Sequence, residues 1–206
     1  MINSYKKLPI GKYLQIVEIV KKEQDEVTEQ VEIVSVLSGI PEADLLAMSI
    51  HDYKALAAQT DFLRKGPAAD AVPKIPKQYK VGDYILIPAM DSKNITTAQY
   101  IDWQSWQKQG DDKMVESLSC LLVPKGCSYC DGYDIEDVQE AIRENFSVMD
   151  VVALMAFFLT SWQTSVTRSL DYSREMAMRI PNKEKREEML KEIARLETAL
   201  RKNGDG

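Results

Sequence analysis

Few residues in this chain combine a reactive type with a spacing that could do chemistry. Cys127-Ser128-Tyr129-Cys130 is a thiol pair separated by two residues, and Cys120 stands seven residues upstream. Two thiolates at that spacing can converge on a metal ion or interconvert as a redox pair. A closed zinc site takes four ligands, whereas the chain holds three cysteines and one histidine, so His51 or a carboxylate such as Asp131 would have to complete it. A thioredoxin-like motif opens a helix after a strand. Here the motif follows Pro124 and Gly126 in a loop, where Asp131 and Asp134 disfavour a thiolate. The expectation is a loop with reduced thiols and no cofactor, with Cys120, Cys127 and Cys130 as the weak candidates should a metal bind.

His51 falls in the first turn of a helix, beside Asp52, with no serine or cysteine near it in sequence to act as nucleophile. No phosphate-cradling glycine loop, metalloprotease motif or strand-elbow serine is present, so no enzyme is expected. Charge says more. Residues 131–150 carry seven acids, Asp131, Asp134, Glu136, Asp137, Glu140, Glu144 and Asp150, against Arg143 alone. The net charge of that stretch equals the −6 of the whole chain. Acids favour helix N-termini, so a solvated face accounts for much of this. Asp134, Glu136, Asp137, Glu140 and Glu144 also form a candidate acidic surface for a basic partner.

The 206 residues are 45% hydrophobic and 28% charged, enough for a real core. An acidic balance excludes a general nucleic-acid binder, and basic residues 183–186 are interleaved with acids. The longest apolar run, 148–159, is interrupted by Asp150 and is too short to span a bilayer, so no membrane partner is expected. No secretory signal is visible at the N-terminus, and three cysteines make no disulfide framework, which suits a reducing cytosol.

Periodicity predicts a mainly α fold, one or more helical bundles with one short β-hairpin near residues 79–87. Apolar spacings of three and four give two helices over 10–39, split near residues 23–26. A short third helix starts at Pro41, and a fourth runs from the Ser49/Asp52 capping pair to Gly66. Residues 1–65 therefore read as an N-terminal helical unit and 66–78 as a Pro/Ala-rich linker. Residues 79–180 read as the hairpin with a helical body, and 181–206 as a charged C-terminal helix. In the body, Thr96 or Thr97 caps a helix bearing Tyr100, Trp103 and Trp106. Another covers about 112–122, Asp134 caps a third, and Ser147 starts the longest, whose first half is expected to be buried nearly all round. Met189, Ile193, Leu196 and Leu200 form one narrow apolar stripe on the terminal helix, too short for a self-sufficient coiled coil. With Trp103 and Trp106, these four are the candidate partner contacts, the alternative for both stripes being packing on the chain's own body.

The segments Leu8-Pro9-Ile10-Gly11-Lys12-Tyr13, residues 30–39 (QVEIVSVLSG), residues 95–102 (ITTAQYID), Tyr133-Asp134 and Phe157-Phe158 resemble proteins from tail-morphogenesis regions of tailed phages of Bacteroidota. Such proteins are similar to tail assembly chaperones, small helical proteins that hold tail components soluble before they polymerise. The resemblance implies a non-enzymatic morphogenesis factor without a cofactor, binding a phage structural or tail protein in the host cytoplasm during assembly. Alternatives are a permanent virion component, such as a connector or tail-completion protein, and a small metal- or thiol-binding protein using the cysteine pair. A homo-oligomer is open in each case.

Overall fold

The computed structural model describes residues 1–67, 73–89 and 95–204, with the side chains of 111, 162–169, 196–197 and 199–204 left outside that description. The fold is mainly α, with one small antiparallel sheet. Two compact units divide the chain, Met1–Phe157 and Phe158–Gly206.

In the first unit, α1 (Ile10–Lys21) begins directly after Pro9, whose fixed φ of −59° suits a helix entry. Its start is tied to the far end of the unit: the Ile10 N–H donates to the Phe146 carbonyl at 2.8 Å and the Val148 N–H to the Leu8 carbonyl at 2.9 Å. Leu8 and Ile10 are fully buried there. Asp25 caps α2 (Glu26–Ser38) by accepting from the Val27 and Thr28 N–H groups, and Gly39, at φ +75°, closes it. Short helices α3 (Glu42–Ala47), α4 (Ile50–Ala57) and α5 (Phe62–Lys65) follow. Val31, Val34, Leu45 and Ala57 form a core cluster between α2, α3 and α4. The single helix expected from Ser49 to Gly66 is broken by a 3-10 turn, Ala58–Thr60, where the Thr60 hydroxyl bonds back to the Ala57 carbonyl at 2.8 Å.

Of the expected linker, residues 68–72 lie outside the described residues, and 73–78 carry neither helix nor strand. The hairpin forms as β1 (Tyr79–Val81) and β2 (Tyr84–Pro88) around Gly82-Asp83. It is not the whole of the β structure. A third strand, β3 (Leu122–Pro124), pairs antiparallel with β2, Leu86 opposite Pro124 and Pro88 opposite Leu122.

A full capping box of Thr96 and Gln99 starts α6 (Thr97–Gln107). It runs antiparallel to α7 (Met114–Leu121), from Gln99 Nε2 on the Cys120 carbonyl (3.0 Å) to Gln107 Nε2 on Ser117 Oγ (2.7 Å). Every residue of α7 from Val115 to Leu121 is buried. Asp134 caps α8 (Ile135–Asn145), which buries Val138 and Ile142 and keeps its acids outward. Ser147 and Asp150 bond reciprocally at the start of α9 (Val148–Met178), as Ser49 and Asp52 do at α4. The early part of α9 buries Val148, Met149, Val151, Ala153 and Leu154 but exposes Ala156 and Leu159, so the all-round burial expected there stops short.

The second unit holds the rest of α9 and α10 (Lys183–Gly204). Pro181 follows the end of α9, whose last turn tightens through Arg179 N–H to the Met176 carbonyl and Ile180 N–H to the Ala177 carbonyl. Among the described residues no helix is long and apolar enough to cross a membrane.

Candidate functional site

The thiol motif sits in a tight loop between β3 and α8. The Cys127 N–H donates to the Pro124 carbonyl at 3.0 Å, and the Asp131 N–H to the Ser128 carbonyl at 2.9 Å, so the chain reverses over Tyr129-Cys130. Cys130 takes φ +56°, a left-handed conformation uncommon for a residue with a side chain. The Tyr129 hydroxyl donates to Asp102 Oδ2 on α6 at 2.8 Å and latches the loop to that helix. Burial, then the Cys120 thiol and the Asp102 carboxylate, push the ionisation of Tyr129 far up. Cys120 is buried on α7 and its thiol donates to the Glu116 carbonyl at 3.3 Å. Burial pushes that thiol up to about 11, against a smaller lowering from the Tyr129 hydroxyl, so it is a protonated core group at neutral pH.

Cys127 is half-buried, with its thiol on the Gly132 carbonyl at 3.6 Å, and Cys130 is exposed. All three cysteines are free. Among the described residues no group of three or more His, Cys, Asp and Glu side chains could hold a metal ion. His51 is exposed at the start of α4.

The five acids of the candidate acidic surface lie on the outer side of α8 or at its cap. Asp134 is engaged by the Glu136 N–H at 2.8 Å, and Arg143 bridges Glu140 (3.5 Å) to the buried Glu116 (3.0 Å). Lys113 approaches the same Glu116 oxygen at 3.5 Å. The basic charge nearest this helix is thus drawn inward, leaving Glu136, Asp137, Glu140 and Glu144 facing solvent.

The aromatic stripe divides by depth. Trp103 is only 7% exposed and packs beside Tyr100, with ring centroids 6.2 Å apart, whereas Trp106 is half-buried. Trp103 therefore belongs to the core and not to an accessible partner surface. On α10, Ile193 is 5% exposed and likewise spent on packing, while Met189 is 44% exposed; the side chains of Leu196 and Leu200 lie outside the described residues. Leu190 is half-buried, so the inward face is set by Leu190 and Ile193, and Met189 is turned away from it.

Two features were not among the sequence candidates. The second unit exposes Tyr172 (63%), Met176 and Met178 (64%) on α9 in addition to Met189. Tyr172 and Met176 stand one helical turn apart, a spacing that could have singled them out. In the first unit, an open cavity of about 410 Å³ lies between α1, α2 and the segment around Leu63, lined by Tyr5, Tyr13, Val17, Val20 and Ile33. Tyr5 anchors its floor through a hydroxyl bond to the Leu63 carbonyl at 3.0 Å. No local pattern announces a cavity assembled from three separate segments.

In comparisons with known proteins, no family model matches the chain, and no curated protein and no solved structure is significantly similar to it.

Proposed function

We propose that this chain is a non-enzymatic binding protein of tail morphogenesis in a tailed phage, of the tail assembly chaperone kind, which holds a structural protein partner before assembly. The observation that carries the binding role is the exposed apolar pair Tyr172 and Met176, one turn apart on α9, with Met178 and Met189 exposed elsewhere in the second unit. Exposed methionines suit such a task, since an unbranched, polarisable side chain repacks against varied apolar partners. The resemblance of the 8–13, 30–39 and 95–102 segments supplies the class of partner.

The test is co-expression of the full chain with the phage tail and connector proteins, followed by affinity capture and mass identification. A tail protein captured by the native chain and lost on Tyr172→Glu together with Met176→Glu supports the reading. Undiminished capture by that variant overturns the assignment to this surface. Mass spectrometry of purified particles then separates an assembly factor, absent from the finished particle, from a permanent virion component.

A further inference from the structure

The cysteine loop has no part in the proposed binding role, and its geometry carries a separate reading. The bond from the Asp131 N–H to the Ser128 carbonyl sets those two residues opposite one another, and the Cys127 thiol reaches the next residue across, Gly132. A Cβ at Gly132 would stand 3.4 Å from Cys127 Sγ, so the glycine leaves that sulfur room. Cys130 occupies the turn itself at φ +56°, and its N–H donates to the Tyr133 hydroxyl at 3.4 Å. One thiol is thus exposed, a second is half-exposed three residues before it, and both lie on a single reversal of the chain.

We infer that Cys127 and Cys130 form a reversible modification site, a dithiol that a small disulfide such as oxidised glutathione converts to an intraloop disulfide. The exposed Cys130 thiolate attacks one sulfur of the small disulfide and releases one glutathione thiol. Cys127 then attacks the Cys130 sulfur of the mixed disulfide and releases the second. Two protein thiols lose two protons and two electrons, and the small disulfide is reduced to two thiols. Cys120 takes no part, being buried, bonded to the Glu116 carbonyl and raised to about 11.

Closure also changes the loop. A disulfide brings its two Cβ atoms to about 3.5–4.5 Å. In the reduced loop the Cys127 thiol lies on the Gly132 carbonyl, so closure re-aims it toward Cys130 within the turn that the Asp131–Ser128 bond and the Tyr129–Asp102 bond hold. Reduced and oxidised forms should then differ in hydrogen exchange at the Asp131 amide.

The test is incubation of the full chain with oxidised glutathione, followed by a thiol count in denaturant and a tryptic map. Trypsin leaves Cys127 and Cys130 together on peptide 126–143 and Cys120 on 114–125, so the partners are read directly. The expected result is a fall from three free thiols to one, peptide 126–143 lighter by two hydrogens, and restoration by a dithiol reductant. Cys127→Ser should instead stop at a stable glutathione adduct on Cys130, and Cys120→Ala should oxidise like the native chain. A persistent adduct on native Cys130, a cross-link to peptide 114–125, or three thiols remaining would each overturn the proposal.

Discussion

Gly11→Ala tests the closest helix contact of the first unit. A Cβ at Gly11 would stand 2.9 Å from the backbone oxygen of Arg143 and 3.2 Å from the Arg143 Cβ. Neither atom belongs to a movable side-chain end, so α1 and α8 must separate or the start of α1 must shift. That start is held by the bonds of Ile10 and Leu8 to Phe146 and Val148. Overpacking of this kind costs about 1–3 kcal/mol. Alanine offsets part of it, because it is favoured over glycine inside a helix by about 0.5–1 kcal/mol. The net is a destabilisation of about 1 kcal/mol, a fall in melting temperature of about 2–4 °C for a unit of this size. Urea unfolding followed by tryptophan fluorescence reads it, since Trp103 and Trp106 lie in this unit. Gly39→Ala is the control: nothing lies within 4 Å of its Cβ position, and its φ of +75° alone makes alanine unfavourable. A Gly11→Ala variant as stable as the native chain, or more so, would refute the close approach, because helix preference alone would then have decided the sign.

Three further outcomes follow from the same unit. Trp103→Ala should destabilise by about 3–5 kcal/mol, whereas Ile101→Ala, two residues away but exposed, should stay within about 0.5 kcal/mol, both measured by chemical denaturation. Arg143→Ala should cost about 2 kcal/mol, because Glu116 would keep only the 3.5 Å contact with Lys113 while its Oε2 is already buried without a partner. Adding Glu116→Met should recover part of that loss, and no recovery would show that the buried charge is not the cause. At alkaline pH, Cys120 ionises near 9.0 when unfolded and near 11 when folded, so the native state holds its proton longer. Its stabilising contribution, about 3 kcal/mol, is complete below pH 9 and lost as pH rises through 11; Cys120→Ala should flatten that part of a pH–stability profile.

The helix starts were legible because each is a short-range bond. Ser49, Thr96, Asp134 and Ser147 all cap as their types and spacing predict. The third strand was not. Leu122–Pro124 continues an apolar run straight out of a helix buried on every side, and only the distant pairing with β2 makes it a strand. Depth was equally hidden. Tyr100, Trp103 and Trp106 recur at helical spacing, yet Trp103 is covered and Trp106 only half so, which depends on how the rest of the chain packs on α6. On α10 the stripe of Met189 and Ile193 was visible, but the inward direction is fixed by what buries Leu190, which a period alone does not encode. The Leu8–Tyr13 segment shows the opposite case, a local string whose glycine is explained by a residue 132 positions further on.

The exposed face of the second unit also sets the strength of the binding it can support. Completing the burial of Tyr172 and Met176, which share one side of α9, contributes about 1–2 kcal/mol each, hence about 2–4 kcal/mol in all. Association costs about 4–15 kcal/mol in lost freedom, so this face alone gives weak, exchanging contacts. Under the proposed function, such contacts suit a factor that releases its partner at assembly. If the proposed partner binds through this face alone, titration of the purified tail protein against the full chain by calorimetry should therefore give a dissociation constant in the millimolar range or weaker. Tyr172→Ala should weaken binding about tenfold. A nanomolar complex unaffected by Tyr172→Ala would place the binding energy elsewhere, with the cavity between α1 and α2 the next surface to test.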